Sequence, residues 1–263
     1  MTYFTEKDIA ERYHKYRPYI HPIIIEKIKR LIKLDKPVDN ALDVGCGTGQ
    51  STTALKSIAK NIIGIDISEA MLSQTVPDES TEYHCCSAEK TPFSDNSFNL
   101  ITVGLSIHWF DRNAFLTEAN RLLCKHSWLV IYNHGFNWRI KDNPDFREKW
   151  ARMFIERYPQ PSQKNYQPIT NEYAEKFGFV LRESLQDEIE VESSLEWLVN
   201  HIATWSLVIS KIQEGRETLT EAINWLTETI KPYFQKPLEI LIFAGPIWCL
   251  HKTRDLQSKG CNT

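Results

Sequence analysis

Short apolar runs alternate with helix-like or loop segments five times between residues 40 and 134. That alternation constrains the fold more than any other feature of the chain. "ALDVGC", "NIIGID", "EYHCCS", "FNLITVGLS" and "SWLVIYNH" read as strands. "STTALKSIAK", "SEAMLSQ" and "RNAFLTEANRLLCKH" read as helices between them, with Ser68 as an N-cap for the second. Strands that are apolar throughout belong to a parallel sheet covered by helices on both faces. Upstream, residues 1–20 are polar and helix-prone, and apolar spacing predicts a helix from about 22 to 34. After 135 the pattern changes. "GFNWRIKDNPDFREKWARMFIERYPQPSQKNYQP" reads as an inserted helical segment and loop, and "NEYAEKFGF" as a short helix. "VLRESLQDEIEVE" reads as a strand, "SLEWLVNHIATWSLVISKI" and "RETLTEAINWLTETI" as two helices, and "LEILIFAGPIWCLHKT" as a strand pair or bent strand.

The turn "NALDVGCGTGQSTTAL" (40–55) carries Gly45, Gly47 and Gly49 between a strand and a helix. A dinucleotide fingerprint, Gly-x-Gly-x-x-Gly, needs its third glycine at 50, where Gln50 stands. The spacing counts against a nicotinamide dehydrogenase. Small residues there admit a ligand close to the backbone without requiring a phosphate. Asp43 lies inside the apolar strand, where a carboxylate is costly unless a cationic ligand group or backbone donors satisfy it. Asp66 closes the second strand, where an acid accepts hydrogen bonds from ribose hydroxyls. "SAEKTPF" follows the third strand. All these residues fall at the carboxyl ends of strands, where open parallel sheets bind ligands.

"LDVGCGTGQ", "GIDIS..ML", "SAEKTPFSDNSFNLIT" and "IHWFD" together resemble class I S-adenosylmethionine-dependent methyltransferases. The likeness is nearest to the group holding trans-aconitate and ubiquinone-biosynthesis methyltransferases. It covers residues 38–134, and "YHKYRPYIHP" is similar to that group's lid. The resemblance implies a Rossmann-like, doubly wound α/β fold with a mainly parallel seven-stranded sheet, its last strand antiparallel, and a helical cap. The domains expected are a lid and helix (1–36), an S-adenosylmethionine-binding core (37–134), and cap insertions with C-terminal strands (135–263).

Carried over to this chain, the resemblance assigns Gly45, Cys46, Gly47 and Gln50 to the turn around the methionine moiety, supported by Asp43. It assigns Asp66 to the ribose, Ile67 to the adenine face, and Ser87, Ala88 and Glu89 to the adenine border. Ser87 replaces an Asp common in relatives. Gly104 and Leu105 would underlie the methionine chain, and Tyr13 and Arg17 would belong to the lid, Arg17 facing the cofactor carboxylate.

Methyl transfer from a sulfonium is an in-line displacement that asks for positioning and a dry site, and no metal. His108 is the candidate base or acceptor-binding group; its alternative role is a hydrogen bond within its own turn. Trp109 is a candidate pocket wall, Asp111 a cap for the next helix. His134, Trp138, Arg139, His201 and Trp205 are acceptor-pocket candidates, each with packing or surface placement as the plainer reading. Arginine suits a carboxylate acceptor, which is its own nucleophile.

Three functions follow: methylation of a small-molecule acceptor such as a carboxylic acid, methylation of a quinone-like or aromatic acceptor, or S-adenosylmethionine binding without catalysis. A net charge of −3 and the lack of a long basic segment disfavour nucleic acid. The charged N-terminus lacks a secretory h-region, and "PLEILIFAGPIWCL" is too short to span a bilayer, so a cytoplasmic monomer or homodimer is expected. The six cysteines lack zinc-site spacing and read as buried free thiols.

Overall fold

The computed structural model describes residues 7–159 and 168–256. In chain order the elements are α1 (Lys7–Tyr16), α2 (His21–Leu31), β1 (Val38–Val44), α3 (Gln50–Ala54), β2 (Ala59–Asp66), α4 (Glu69–Leu72), β3 (Thr81–Cys85), β4 (Phe98–Gly104), α5 (Arg112–Leu122) and β5 (Leu123–Tyr132). There follow β6 (Gly135–Ile140), α6 (Ala151–Arg157), α7 (Asn171–Glu175), β7 (Phe179–Ser194), α8 (Leu195–Ala203), α9 (Ser206–Gln213), α10 (Leu219–Ile230) and β8 (Leu238–Lys252).

The chain divides into two compact units. A sheet-core unit takes the described residues of Tyr19–Asn133, Asn165–Asp187 and Gly245–Thr263. An aromatic unit takes those of Met1–Pro18, His134–Lys164 and Glu188–Ala244. This division departs from the linear one expected: α2 belongs with the sheet, because its buried face of Ile24, Ile25 and Ile28 is part of that core.

The strand order β3-β2-β1-β4-β5-β8 is parallel from β3 to β5, and β8 runs antiparallel to β5 and also pairs β7. This is the doubly wound, mainly parallel α/β sheet that the apolar runs predict. The parallel strands earn it by burial on both faces: Leu42, Ile65, Ile101 and Leu129 on one face and Ile62, Leu100 and Val130 on the other are at most 1% exposed. Each such side chain contributes about 1.5–3 kcal/mol. The chain leaves β1 toward β2 and β3, then returns to β4 on the other side of β1. That reversal opens a crevice at the carboxyl ends of β1 and β4.

Both expected caps form: Ser68 Oγ accepts from Met71 N (3.2 Å), and Asp111 Oδ1 accepts from Asn113 N and Ala114 N (3.0 and 3.1 Å). The C-terminal end of α5 is closed by buried Lys252, whose Nζ donates to Asn120 O and Leu123 O (both 2.7 Å).

Three sequence expectations change, and one open choice, the strand pair or bent strand, is resolved. "GFNWRI" is a strand, not part of a helical insertion; a bulge between Phe136 and Arg139 breaks the alternation that would have marked it. The helix over "SLEWLVNHIATWSLVISKI" is two helices. Thr204 Oγ1 bonds back to His201 O (2.7 Å) and Trp205 is extended. "LEILIFAGPIWCLHK" is one long strand, with Pro246 between the β6 and β5 ladders, where no ladder N–H is needed. The cysteines are free but not uniformly buried: Cys46 and Cys249 are, Cys86 and Cys124 are half-buried, and Cys85 is exposed at a strand end. Cys261 lies outside the described residues. Among the described residues no helix is long and apolar enough to cross a membrane.

Candidate functional site

At the switch point the turn after β1 and the turn after β4 press together. Gly45 has φ +69°, and a Cβ there would stand 2.5 Å from Ser106 Oγ. Only glycine meets both demands. Ser106 Oγ donates to Val44 O (3.1 Å), while Gly45 N and Cys46 N donate to Ile65 O (2.8 and 3.0 Å). Gly47 follows with φ +55°. The glycines thereby let Ser106 and Met71 close on the backbone of the turn.

Asp66, at the end of β2, accepts from Gly47 N through Oδ2 and from Ser68 N through Oδ1, each at 2.9 Å. Each carboxylate oxygen keeps acceptor capacity for a further donor. Burial raises its pKa above the usual carboxylate value, against the lowering effect of those backbone donors. Ile67, next in the chain, is 67% exposed, an apolar side chain left without a cover.

Asp43 is fully buried and satisfied from within. Ser51 Oγ (2.5 Å), Thr52 Oγ1 (2.8 Å) and Thr102 Oγ1 (2.9 Å) all donate to it. The sequence reading looked to a cationic ligand group or backbone donors for this carboxylate. Three hydroxyls fill that role instead, two from α3 and one from β4, and so tie the turn to both neighbours. Burial raises the Asp43 pKa, the three hydroxyls opposing it. Beside it, Cys46 is a buried thiol that desolvation pushes well up. Gln50 opens α3.

The segment after β3 links two loops rather than standing open. The Ser87 hydroxyl bonds the Glu89 carboxylate, Glu89 Oε1 accepts from Asp111 N (2.9 Å), and Ala88 packs into the core. The β4 turn then runs through Gly104 and Leu105, the latter held at φ +60°. A leucine in that region carries about 1–3 kcal/mol of strain, which surrounding structure must impose. His108 and Trp109 follow on a short 3₁₀ turn, both exposed, their ring centroids 4.8 Å apart.

The aromatic unit gathers a second set. The Arg17 guanidinium lies over the Tyr13 ring (4.2 Å to its centroid), and Arg17 Nε is buried with no hydrogen-bond partner among the described residues. Arg12 Nη2, on α1 just before it, is buried in the same condition. His201 is fully buried, and desolvation with the nearby Arg17 charge holds its pKa well down. Its Nδ1 donates to Tyr16 O (3.0 Å) and its Nε2 accepts from Trp205 Nε1 (3.4 Å), so both nitrogens are engaged. The ring is thereby held between Tyr16 and Trp205. Trp205 meets Trp138 edge-on at 5.1 Å, and Phe154 packs on both. Arg139, one residue along β6 from Trp138, is spent on Glu188 (2.6 Å) at the surface. His134 is buried at 1% exposure.

Thus the sheet-core unit brings together Asp43, the glycine turn, Asp66 and the β4 turn, and the aromatic unit brings together Tyr13, Arg17, Trp138, His201 and Trp205. Sequence reasoning missed Ser51, Thr52, Thr102 and Ser106. The signal for the first three was hydroxyl residues near an aspartate inside apolar elements; Ser106 bonds a backbone carbonyl instead. It also missed Arg12, His21 and Tyr132.

Residues 42–131 match the family profile described as a methyltransferase domain. The chain is 26% identical over 232 residues to a methyltransferase of Dictyostelium discoideum, covering 85% of each chain. It is 40% identical over 91 residues to the demethylmenaquinone methyltransferase of Staphylococcus aureus, which is 32% of this chain and 38% of that one. In structure it is similar to a type II methyltransferase of Anaeromyxobacter dehalogenans, at a TM-score of 0.67 and 20% identity, covering 89% of this chain and 97% of that one.

Proposed function

We propose, taking as premise that this chain is a class I S-adenosylmethionine-dependent methyltransferase, that it methylates a small-molecule carboxylic acid. The cofactor is S-adenosylmethionine, and solved chains of this fold hold its demethylated product, S-adenosylhomocysteine. The sheet-core residues fit it. Gly45 and Gly47 hold the left-handed turn whose backbone would face the methionine moiety, Asp66 keeps acceptor capacity for the ribose hydroxyls, and exposed Ile67 offers an apolar face to adenine. When bound, the cofactor supplies a methyl group already activated on a sulfonium.

The observation that carries the acceptor class is on α1 and the residue just after it. Among the described residues Arg12 and Arg17 each have a buried guanidinium N–H without a hydrogen-bond partner, and a guanidinium matches a carboxylate in shape and charge. The resemblance gives Arg17 to the cofactor carboxylate; Arg12 then serves a second one. A carboxylate acceptor is ionised at neutral pH and asks no residue to remove a proton. His108 accordingly binds and orients rather than acting as base. Asp43 has no contact with ligand in this reading; it holds the turn.

Trp138 and Trp205 favour a second reading, an aromatic acceptor packed on their half-buried rings. One experiment separates the two. Calorimetry with S-adenosylhomocysteine establishes the cofactor, with NADH as control. A methyl-transfer assay then runs small carboxylic acids beside quinols. Turnover of acids that falls in Arg12→Gln supports the proposal; turnover of quinols alone replaces it; tight S-adenosylhomocysteine binding with no turnover of either points to a non-catalytic binder.

A further inference from the structure

Gly104 and Tyr132, the last residues of β4 and β5, are register partners. Tyr132 folds over its neighbour: a Cβ on Gly104 would stand 2.5 Å from the phenol oxygen and 2.6 Å from Cζ. The ring therefore rests on the Gly104 backbone. Immediately after it comes Leu105, left-handed at φ +60°, whose N–H donates to Tyr132 O (2.9 Å). Next is Ser106, which bonds Val44 O and abuts Gly45. A chain of contacts thus leads from Tyr132 to the glycine turn.

Tyr132 is fully buried, and its hydroxyl is hydrogen-bonded to His21 Nδ1 at 2.8 Å, the two rings edge-on. His21 is the first residue of α2 and 7% exposed. Core packing alone does not call for this pair. Phenylalanine would fill the same volume without a buried polar group to satisfy. What the pair adds is direction, since a hydrogen bond fixes where the phenol oxygen lies and packing does not. Burial, with the negative charge of Asp43 adding to it, keeps the phenol protonated and the bond intact. A strained residue such as Leu105 persists only where its surroundings over-determine it.

We propose that His21 and Tyr132 are positioning residues for cofactor binding: the imidazole fixes the phenol over Gly104, and the phenol holds the Leu105 turn against Gly45. Neither touches the ligand. The role rests on the reading that Gly104 and Leu105 border the cofactor.

The test measures S-adenosylhomocysteine affinity by calorimetry, well below the melting temperature, and stability by thermal unfolding. Variants are Tyr132→Phe, His21→Leu, the double variant, and His21→Asn, whose amide can replace Nδ1. Tyr132→Phe conserves volume and keeps the fold. Each single variant is expected to weaken binding roughly tenfold, and the double variant no further, since all remove one bond. His21→Asn is expected to recover most of the affinity. Variants that melt earlier yet bind as tightly as wild type overturn this role and leave the functional reading standing. A wild-type chain that binds no S-adenosylhomocysteine overturns the functional reading and this role together.

Discussion

Asp43 in the sheet-core unit and Arg17 in the aromatic unit are both charged groups drawn away from water, and they are satisfied differently. Asp43 has three hydroxyl donors from its own unit. Arg17 keeps a buried Nε with no partner among the described residues, and Arg12 on α1 matches it. A group satisfied internally holds shape; a buried donor left open is ready for a ligand. The first unit therefore holds a fixed backbone, and the second keeps the buried donors on which the proposal of a carboxylate acceptor rests.

The comparison breaks first at Asp66, a half-buried sheet-core carboxylate whose two oxygens keep acceptor capacity. Asp66→Ala is expected to weaken S-adenosylhomocysteine binding about 100-fold or more, because two charge-assisted bonds at about 1.5–3 kcal/mol each are lost. Calorimetry at neutral pH reads this directly. Unchanged affinity would remove the ribose from this position.

The same residue sets a pH dependence. Its native pKa is raised, chiefly by burial. Ribose hydroxyls donate to the ionised form, so affinity is constant above that pKa and falls as pH drops through it. The fall begins at higher pH than an ordinary carboxylate near 3.9 would give. Stability without ligand moves the other way. The native chain holds this proton more tightly than the unfolded chain, so Asp66 contributes stability at low pH that is lost as pH rises through the native value. Raised Asp43 acts in the same sense. Affinity titrated from pH 7 downward in wild type and Asp66→Asn separates binding from stability, since the amide variant has no such titration.

Gly45→Ala sharpens the sheet-core side. A methyl group at φ +69°, 2.5 Å from Ser106 Oγ, is expected to cost about 1–3 kcal/mol of stability and about tenfold in cofactor affinity. Gly215→Ala is the control: it has φ +68° but nothing within 4 Å of its Cβ, so it carries strain without collision. Denaturant melts of both isolate the collision.

How much of this could be read from residues alone divides along the same line. The parallel sheet, Asp66 and the glycine turn follow from apolar runs and local spacing, because backbone geometry within a few residues decides them. Asp43 was recognisable as a buried acid, but its partners were not. Ser51 and Thr52 lie one turn away, whereas Thr102 arrives from another strand, and only the strand order brings it there. His21 and Tyr132, 111 positions apart, carry no local signal at all. In the aromatic unit the failure was of a different kind. Arg139 and Arg12 are both arginines in aromatic, charged sequence, and nothing local distinguishes the one that ends on Glu188 from the one that keeps an open donor.

That last pair gives the smallest expected effect and a sharp contrast. Arg139 is 40% exposed in its side chain and paired with a half-exposed glutamate, a contact that solvent and salt screen. Arg139→Gln should therefore change neither S-adenosylhomocysteine affinity nor acceptor KM by more than about twofold. Arg12→Gln removes a donor that the protein leaves open, and should raise the KM of a carboxylate acceptor about tenfold while leaving S-adenosylhomocysteine affinity unchanged. Steady-state kinetics with one acid substrate reads both variants in a single series. If Arg139→Gln raises KM and Arg12→Gln does not, the Glu188 contact opens during binding, and the anion reader of the aromatic unit is the surface arginine on β6.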